Sequence, residues 1–505
     1  MTSRSKKFTI GAITGYTVIA ANMAFTMVSI PLSLHYLKKE EFGLWVLVSQ
    51  ISGYLNLVDL GMNGAASRFI ADHKDNVNGG LYGAILINSG IAFIIQGMLV
   101  MILGMIFSLS AGILFAIPRE LYSDFKLLIV LSAIISGFSV ALRIFGTPLW
   151  AFQRSDIVNV CTFSGVVISI PVLFIGFKLG LGIYSFLVCQ LPLVIGAPAV
   201  YIYCCLRHSY YPKKGSWGSP TVSEFKKIFN FGKDNFIISL GSQMVNASQL
   251  MIISRFVGLD AAATFAIGTK IYGMAMLLVV NPISVAAAGL TEIYVSGDYK
   301  LFTNRYKDLI VATLGVSTFF GIVIACGNSA FIFKWTHGRV EWPLINNLFL
   351  ALLLVIKNIN GNFIGVFGIT KDWKPVRFYC LLEGLIFITV GIILSMTYGI
   401  VGVLVASLLS CFIVTIVSAK TAEFIIGSSK HLCKPIIIST IMILLACASS
   451  YLESSNRILS WSFFIPYFSI FVLSVTIIWK SIISVSIKNE VSARVYKLYT
   501  GLIHK

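Results

Sequence analysis

LLLVIKNINGNFIGV, residues 352–366, holds the choice of solvent for the whole chain. It sits inside an apolar run, 344–370, which as a helix rising about 1.5 Å per residue is long enough to cross the ~30 Å of hydrocarbon in a bilayer. Yet Lys357, Asn358, Asn360 and Asn362 lie in its middle. A lysine at the centre of a spanning helix costs about 2.5–3.5 kcal/mol on insertion scales. Residues kept at that cost are expected to serve function or pairing, because they must face protein or water and not lipid.

The rest of the sequence repeats the apolar half of this pattern. Of 505 residues, 57% are hydrophobic and only 11% are charged, where a soluble domain carries roughly 25% charged residues. Mean hydropathy is +0.88. Apolar runs recur from end to end, so the fold class is an all-α polytopic membrane protein. A β-barrel would instead alternate over strands of about ten residues. The net charge of +18 reads as a topology signal and not as nucleic-acid binding, since no aromatic-interleaved basic patch accompanies it. The nine cysteines include no CxxC pair and the six histidines have no metal-ligand spacing. No GxxxxGK[ST] loop is present. No metal and no cofactor are expected.

About fourteen spans are predicted, at 9–34, 42–66, 82–110, 127–150, 157–177, 181–204, 234–256, 261–290, 309–333, 344–370, 378–398, 400–420, 435–452 and 461–480. The basic start and long apolar run of the first read as an uncleaved span. Lys and Arg crowd the N-terminus and the even-numbered loops, with Arg68, Lys74, Arg154, Lys213, Lys214, Lys300, Lys371 and Lys374 among them. The bias over the odd loops is roughly three to one, which places both termini in the cytoplasm. The longest even loop contains YPKKGSWGSP, residues 211–220, whose Pro, Gly and Ser content reads as a hinge between lobes.

A weak internal repeat supports two lobes. A shift of 220 residues lays Ile51 on Ile271, Gly53 on Gly273 and Gln50 on Lys270. It also matches two polar helix faces: Asn235, Ser239, Ser242, Asn246 and Gln249 on span seven, against Gly15, Ile19, Asn22, Thr26 and Ser29 on span one. An odd-to-odd repeat keeps orientation, so the halves are parallel repeats. The predicted division is an N-terminal lobe at 1–225, a C-terminal lobe at 226–425, and two further helices with a basic tail at 426–505.

Four cations lie inside spans: Arg143, Arg255, Lys270 and Lys357. Arg143 shares a face with Ser132, Ser136, Ser139 and Thr147. Lys357 shares one with Asn346, Asn360, Gly361 and Gly365. Each has two readings, an inter-helix ion pair or a contact to an anionic substrate. Arg255 is near enough to a span end to snorkel. Asp59 and Glu383 are the only carboxylates well inside spans, so a positive surplus is expected there. Both carboxylates are candidates for a gate or for ion coupling. Arg68 closes span two, on the opposite face from Asp59, and Gly61 and Gly64 could bend or unwind that end.

The stretch PLSLHYLKKEEFGLWVLVSQISGYLNLVDLGMNGAASRFIAD, residues 31–72, resembles the opening of the bacterial O-antigen (Wzx-type) polysaccharide flippases. The shared pattern is a short outer loop, EFGLW, then DLG followed by small residues and an arginine. FQRSD (152–156) and GITKDWKP (368–375) fit the same family. The resemblance implies the multidrug/oligosaccharidyl-lipid/polysaccharide exporter fold, with two six-helix lobes around a central cavity plus two C-terminal helices. It implies a lipopolysaccharide-pathway transporter of the inner membrane. The implied substrate is an undecaprenyl-diphosphate-linked oligosaccharide, with membrane lipid, a polysaccharide polymerase and a chain-length regulator as partners.

On that reading the cavity cations are Arg143, Lys357, Lys270 and Arg255. Asn22, Thr26, Ser242, Asn246, Gln249 and Asn360 line the path and meet sugar hydroxyls. A proton or sodium gradient supplies the drive. The alternatives are export of another lipid-linked glycan or of a small drug, or a membrane polymerase or ligase. A polymerase or ligase would be expected to carry a substantial outer loop, and the largest here, KWTHGRVEW (334–342), is short.

Overall fold

The computed structural model describes residues 3–115, 117–427 and 432–454. Two compact units divide the chain, Met1–Ala266 and Ile267–Lys505. The first begins with α1 (Ser3–Tyr36), α2 (Lys39–Leu55), α3 (Met62–His73), α4 (Leu81–Leu114), α5 (Tyr122–Ala141) and α6 (Thr147–Ala151). It continues with α7 (Ser155–Lys178), α8 (Ser185–Val188), α9 (Ala197–Arg207), α10 (Val222–Asn246), α11 (Ser248–Phe256) and most of α12 (Leu259–Gly268). The second unit holds α13 (Lys270–Val295), α14 (Tyr299–Trp335), α15 (Leu344–Thr370), α16 (Trp373–Ile426) and α17 (Cys433–Ser454).

Among the described residues, eleven helices are long and apolar enough to cross a membrane. One predicted span is interrupted, and two others meet at a break inside one long helix, each for a physical reason. The span expected at 42–66 is interrupted. After α2 the chain tightens into a 3-10 turn, Asn56–Asp59. Leu60 (φ 49°) and Gly61 (φ 70°) then turn left-handed before α3 restarts. The spans expected at 378–398 and 400–420 are the two arms of α16. A single 54-residue helix would run about 80 Å, far beyond a bilayer. Gly399, at φ 56° and ψ −129°, breaks it in a conformation that favours glycine. A Cβ on Gly402 would stand 2.0 Å from the Leu394 carbonyl oxygen, whereas residues eight apart in a straight helix are about 12 Å apart. The chain therefore reverses there. The span expected at 461–480 and the tail beyond it lie outside the described residues.

In the first unit α4 packs along α5, α1 along α7, and α2 against α5 and α11. Leu44, Leu47, Val48, Phe125, Leu128 and Ile129 form a continuous buried cluster at the start of α2. The first turn of α12 closes on the same end. A Cβ on Gly43 would lie 2.1 Å from the Leu259 carbonyl oxygen, so only glycine permits this approach. Lys39 Nζ stands 2.9 Å from Asp260 Oδ2.

The 208–221 stretch, which contains YPKKGSWGSP (211–220), is docked as a strap on its own unit. The Tyr82 hydroxyl donates to the Tyr210 carbonyl at 2.9 Å. The Lys213 amide donates to Asn78 Oδ1 at 2.9 Å. Phe152 stacks on Tyr210 at 4.1 Å between ring centroids. Burial raises the Tyr211 phenol above the usual tyrosine range. The strap fixes the start of α10 to the α4 and α6 ends of its own unit.

In the second unit α15 is central, flanked by α13, α14, α16 and α17. Its asparagines explain how it tolerates its sequence. Asn347 accepts from Trp342 Nε1 (2.9 Å) and from Asn328 Nδ2 (3.0 Å), and donates to Ser329 Oγ (2.9 Å). Asn328 also donates to the Gly268 carbonyl at 3.1 Å, capping the end of α12.

Candidate substrate site

The intramembrane charges build two separate clusters, one in each unit. In the first, Arg143 lies in a 3-10 turn, Leu142–Phe145, between α5 and α6. Gly146 and Pro148 explain the break, since a proline near the start of α6 cannot donate to the preceding turn. Arg143 Nη1 stands 3.3 Å from Asp59 Oδ1. Asp59 ends the 3-10 turn of span two and receives the Asn63 backbone amide. Two interrupted helices thus meet at one ion pair. Gln96 supports the junction by donating to the Asp59 carbonyl (2.9 Å) and to Met62 Sδ (3.0 Å). Sequence reasoning missed Gln96, although a lone glutamine in the run IAFIIQGMLV (91–100) was the available signal.

In the second unit Lys357 Nζ donates to Glu383 Oε1 at 2.9 Å. Glu383 comes from the first arm of α16 and is buried. Asn360 Nδ2 reaches its other oxygen at 3.5 Å, and the Ser418 hydroxyl donates to Asn360 Oδ1 at 3.0 Å. Asn360 is itself buried and serves the carboxylate, not an open surface. Ser418, from the second arm of α16, is the other residue the sequence reading missed.

Arg143 lies in the first unit and Lys357 in the second. Each is matched by a carboxylate within its own unit. The pairing consumes both anions, so the expected surplus shrinks to Lys270 and Arg255. Arg255 is exposed on the last turn of α11, where a cation complements the helix dipole. Lys270 opens α13 just after the break at Thr269. It has no acidic partner among the described residues.

The polar faces are partly open. Asn235, Ser239, Ser242 and Asn246 are exposed along α10, and Gln249 is half-buried. Asn246 Nδ2 donates to Ser242 Oγ at 3.1 Å. On α1, Asn22 is exposed, Thr26 half-buried and Ser29 buried. Asn22 and Thr26 each bond a carbonyl of their own helix at 2.9 Å. The Gly15 end of that stripe faces α7, where Asn159 donates to Gly11 O and to Thr14 Oγ1 at 3.0 Å. Arg68 is exposed on α3. No group of three or more potential metal ligands occurs among the described residues. Each unit thus holds one matched ion pair, and the first also presents polar side chains along α1 and α10.

Residues 10–288 match the family profile described as "Polysaccharide biosynthesis protein". No curated protein matches the chain. Among solved structures, the lipid II flippase MurJ in an inward closed conformation aligns at a TM-score of 0.69 and 16% identity, covering 93% of this chain and 97% of that one. An inward-facing multidrug resistance MATE family transporter of the MOP superfamily aligns at 0.65 and 14%, covering 81% and 96%. A MOP superfamily transporter from Pyrococcus furiosus, described as having a binding pocket of reverse polarity, aligns at 0.59 and 13%, covering 84% and 96%. These identities establish the fold: an integral membrane protein built like the MOP superfamily transporters. The profile spans more than half of the 505 residues, and the chain belongs to the polysaccharide biosynthesis protein family.

Proposed function

We propose that the protein is a flippase that moves an undecaprenyl-diphosphate-linked oligosaccharide, an O-antigen unit or a similar polysaccharide repeat, from the cytoplasmic to the periplasmic leaflet of the inner membrane. The polyprenyl tail stays in lipid, while the diphosphate and sugar need a wet, cationic, hydrogen-bonding path across the ~30 Å core. The observation that carries this reading is the retention of Arg143, Lys270 and Lys357 within apolar spans, with Lys270 lacking any acidic partner among the described residues. The family, and a fold shared with a lipid II flippase, support it. The exposed amides and hydroxyls of α10, together with Asn22 on α1, are the groups proposed to meet sugar hydroxyls. Arg68 is proposed as a gate residue at the cytoplasmic mouth. A proton or sodium gradient is proposed as the drive, with Asp59 and Glu383 as its candidate coupling sites. Polymerase and chain-length regulator are the proposed partners.

The deciding experiment is a deletion strain in which lipid-linked oligosaccharides are extracted and their leaflet determined. Repeat units trapped on the cytoplasmic leaflet are expected. Trapping on the outer leaflet would assign the protein to polymerisation or ligation instead.

A further inference from the structure

Lys357 and Glu383 are not equivalent partners. The lysine side chain retains 24% of its exposure and the glutamate 9%. An ammonium carries three donors, and the structure assigns one of them, to Glu383 Oε1. Glu383 is held from behind, because Asn360 reaches its second oxygen and Ser418 fixes the Asn360 amide. The carboxylate is therefore anchored, while the lysine side chain keeps more of its exposure and has donors beyond the one Glu383 takes.

We propose that Glu383 is the resident counter-ion of Lys357 and competes with the substrate's phosphate for it, so that Glu383 sets how weakly the cargo is held. This rests on the flippase reading. With the site empty, the pair is neutral and Lys357 is not an isolated charge in the membrane. When a diphosphate arrives, it takes the spare donors of Lys357 and meets the negative charge of Glu383 beside them. The repulsion lowers affinity. A transported ligand must bind well enough to enter and weakly enough to leave, and an anchored competing carboxylate supplies the second condition. Glu383 thus acts through Lys357 as a positioning residue, with Asn360 and Ser418 as its supports.

The test uses the purified full-length protein with farnesyl diphosphate as a short, soluble prenyl diphosphate probe, reading calorimetric affinity in nanodiscs and flipping rate in sealed proteoliposomes. Glu383→Gln should bind the probe about tenfold more tightly than the natural protein, while its flipping rate falls. Glu383→Asp, which keeps the charge but draws it back from Lys357, should show a smaller gain and serves if the glutamine variant fails to fold. Lys357→Gln should bind at least tenfold more weakly, and adding Glu383→Gln should recover part of that loss, because the uncompensated carboxylate beside the phosphate is gone. A purely structural ion pair predicts the opposite sign, with Glu383→Gln and Glu383→Asp binding equally or less tightly. That result overturns the competition while leaving a loss in Lys357→Gln as support for the flippase reading. Absence of probe binding in the natural protein, with no cytoplasmic trapping in the deletion strain, would overturn both.

Discussion

At the scale of single residues, Arg143 and Asp59 pose the sharpest question, because one contact answers to two requirements. A pair needed only for packing can be replaced by apolar residues at little loss, whereas breaking it leaves a stranded charge. Both side chains are partly open, at 30% and 22% exposure, so the loss falls below that of a fully buried pair. Arg143→Met should destabilise by about 1–3 kcal/mol, between the exposed and buried limits. Adding Asp59→Leu should restore most of the melting temperature in detergent. Surface polysaccharide should remain absent in both variants if the guanidinium meets substrate, and should return in the double variant if it is structural. The sequence showed the small, polar face around Arg143 but not its partner. The two lie 84 positions apart, on helices whose breaks had to be placed in space before their side chains could be paired.

At the scale of elements, the meeting of α2 with α12 separates backbone fit from charge. Lys39 and Asp260 are 28% and 58% exposed, and such pairs contribute under about 1 kcal/mol. The approach of Gly43 to the Leu259 carbonyl leaves no space for a methyl group, and overpacking costs about 1–3 kcal/mol. Gly43→Ala should therefore lower the melting temperature more than Lys39→Ala, and thermal unfolding of the two variants side by side checks the order. The helix interruptions were partly legible. Gly61 marked the weak point of span two, and the split at Tyr398–Gly399 separated the arms of α16. The docking of the strap was not legible. Pro, Gly and Ser report that a segment leaves helical geometry, but they are silent on what it then packs against. Here Tyr82, Asn78 and Phe152, distant in sequence, hold it.

At the scale of the whole molecule, the charge bias predicts sidedness. Single cysteines in a cysteine-free background, probed with a membrane-impermeant maleimide on intact cells, report it directly. Lys214→Cys and Lys300→Cys should be protected, and Gly338→Cys should be labelled. Lys214 is the better probe of its loop than Gly218, whose added Cβ would meet the Gly80 carbonyl oxygen at 2.2 Å. Labelling at Lys214 from outside would contradict the two-repeat topology. The all-helical membrane architecture was legible from composition and run length alone, because lipid exposure writes itself into every span. The charged site was legible only as candidates, since the sequence counts charges and the fold decides which of them cancel.

The polar core of α15 bears on how the protein is made. Asn346, Asn347, Asn358, Asn360 and Asn362 are all buried, and Lys357 is matched by a residue that is translated later. As it emerges, α15 has Asn328 and Ser329 of α14 available as partners, but not Glu383 or Ser418 of α16. Left alone in lipid it would carry unsatisfied amides and a bare ammonium. Its stable residence in the bilayer must therefore await both arms of α16. In a chain stopped after Lys371, a reporter fused at the end should show that α15 fails to hold its span or that the product is degraded, while in one continued through Ile426 α15 should stay inserted. The lysine that opens the question of function also sets the order of assembly.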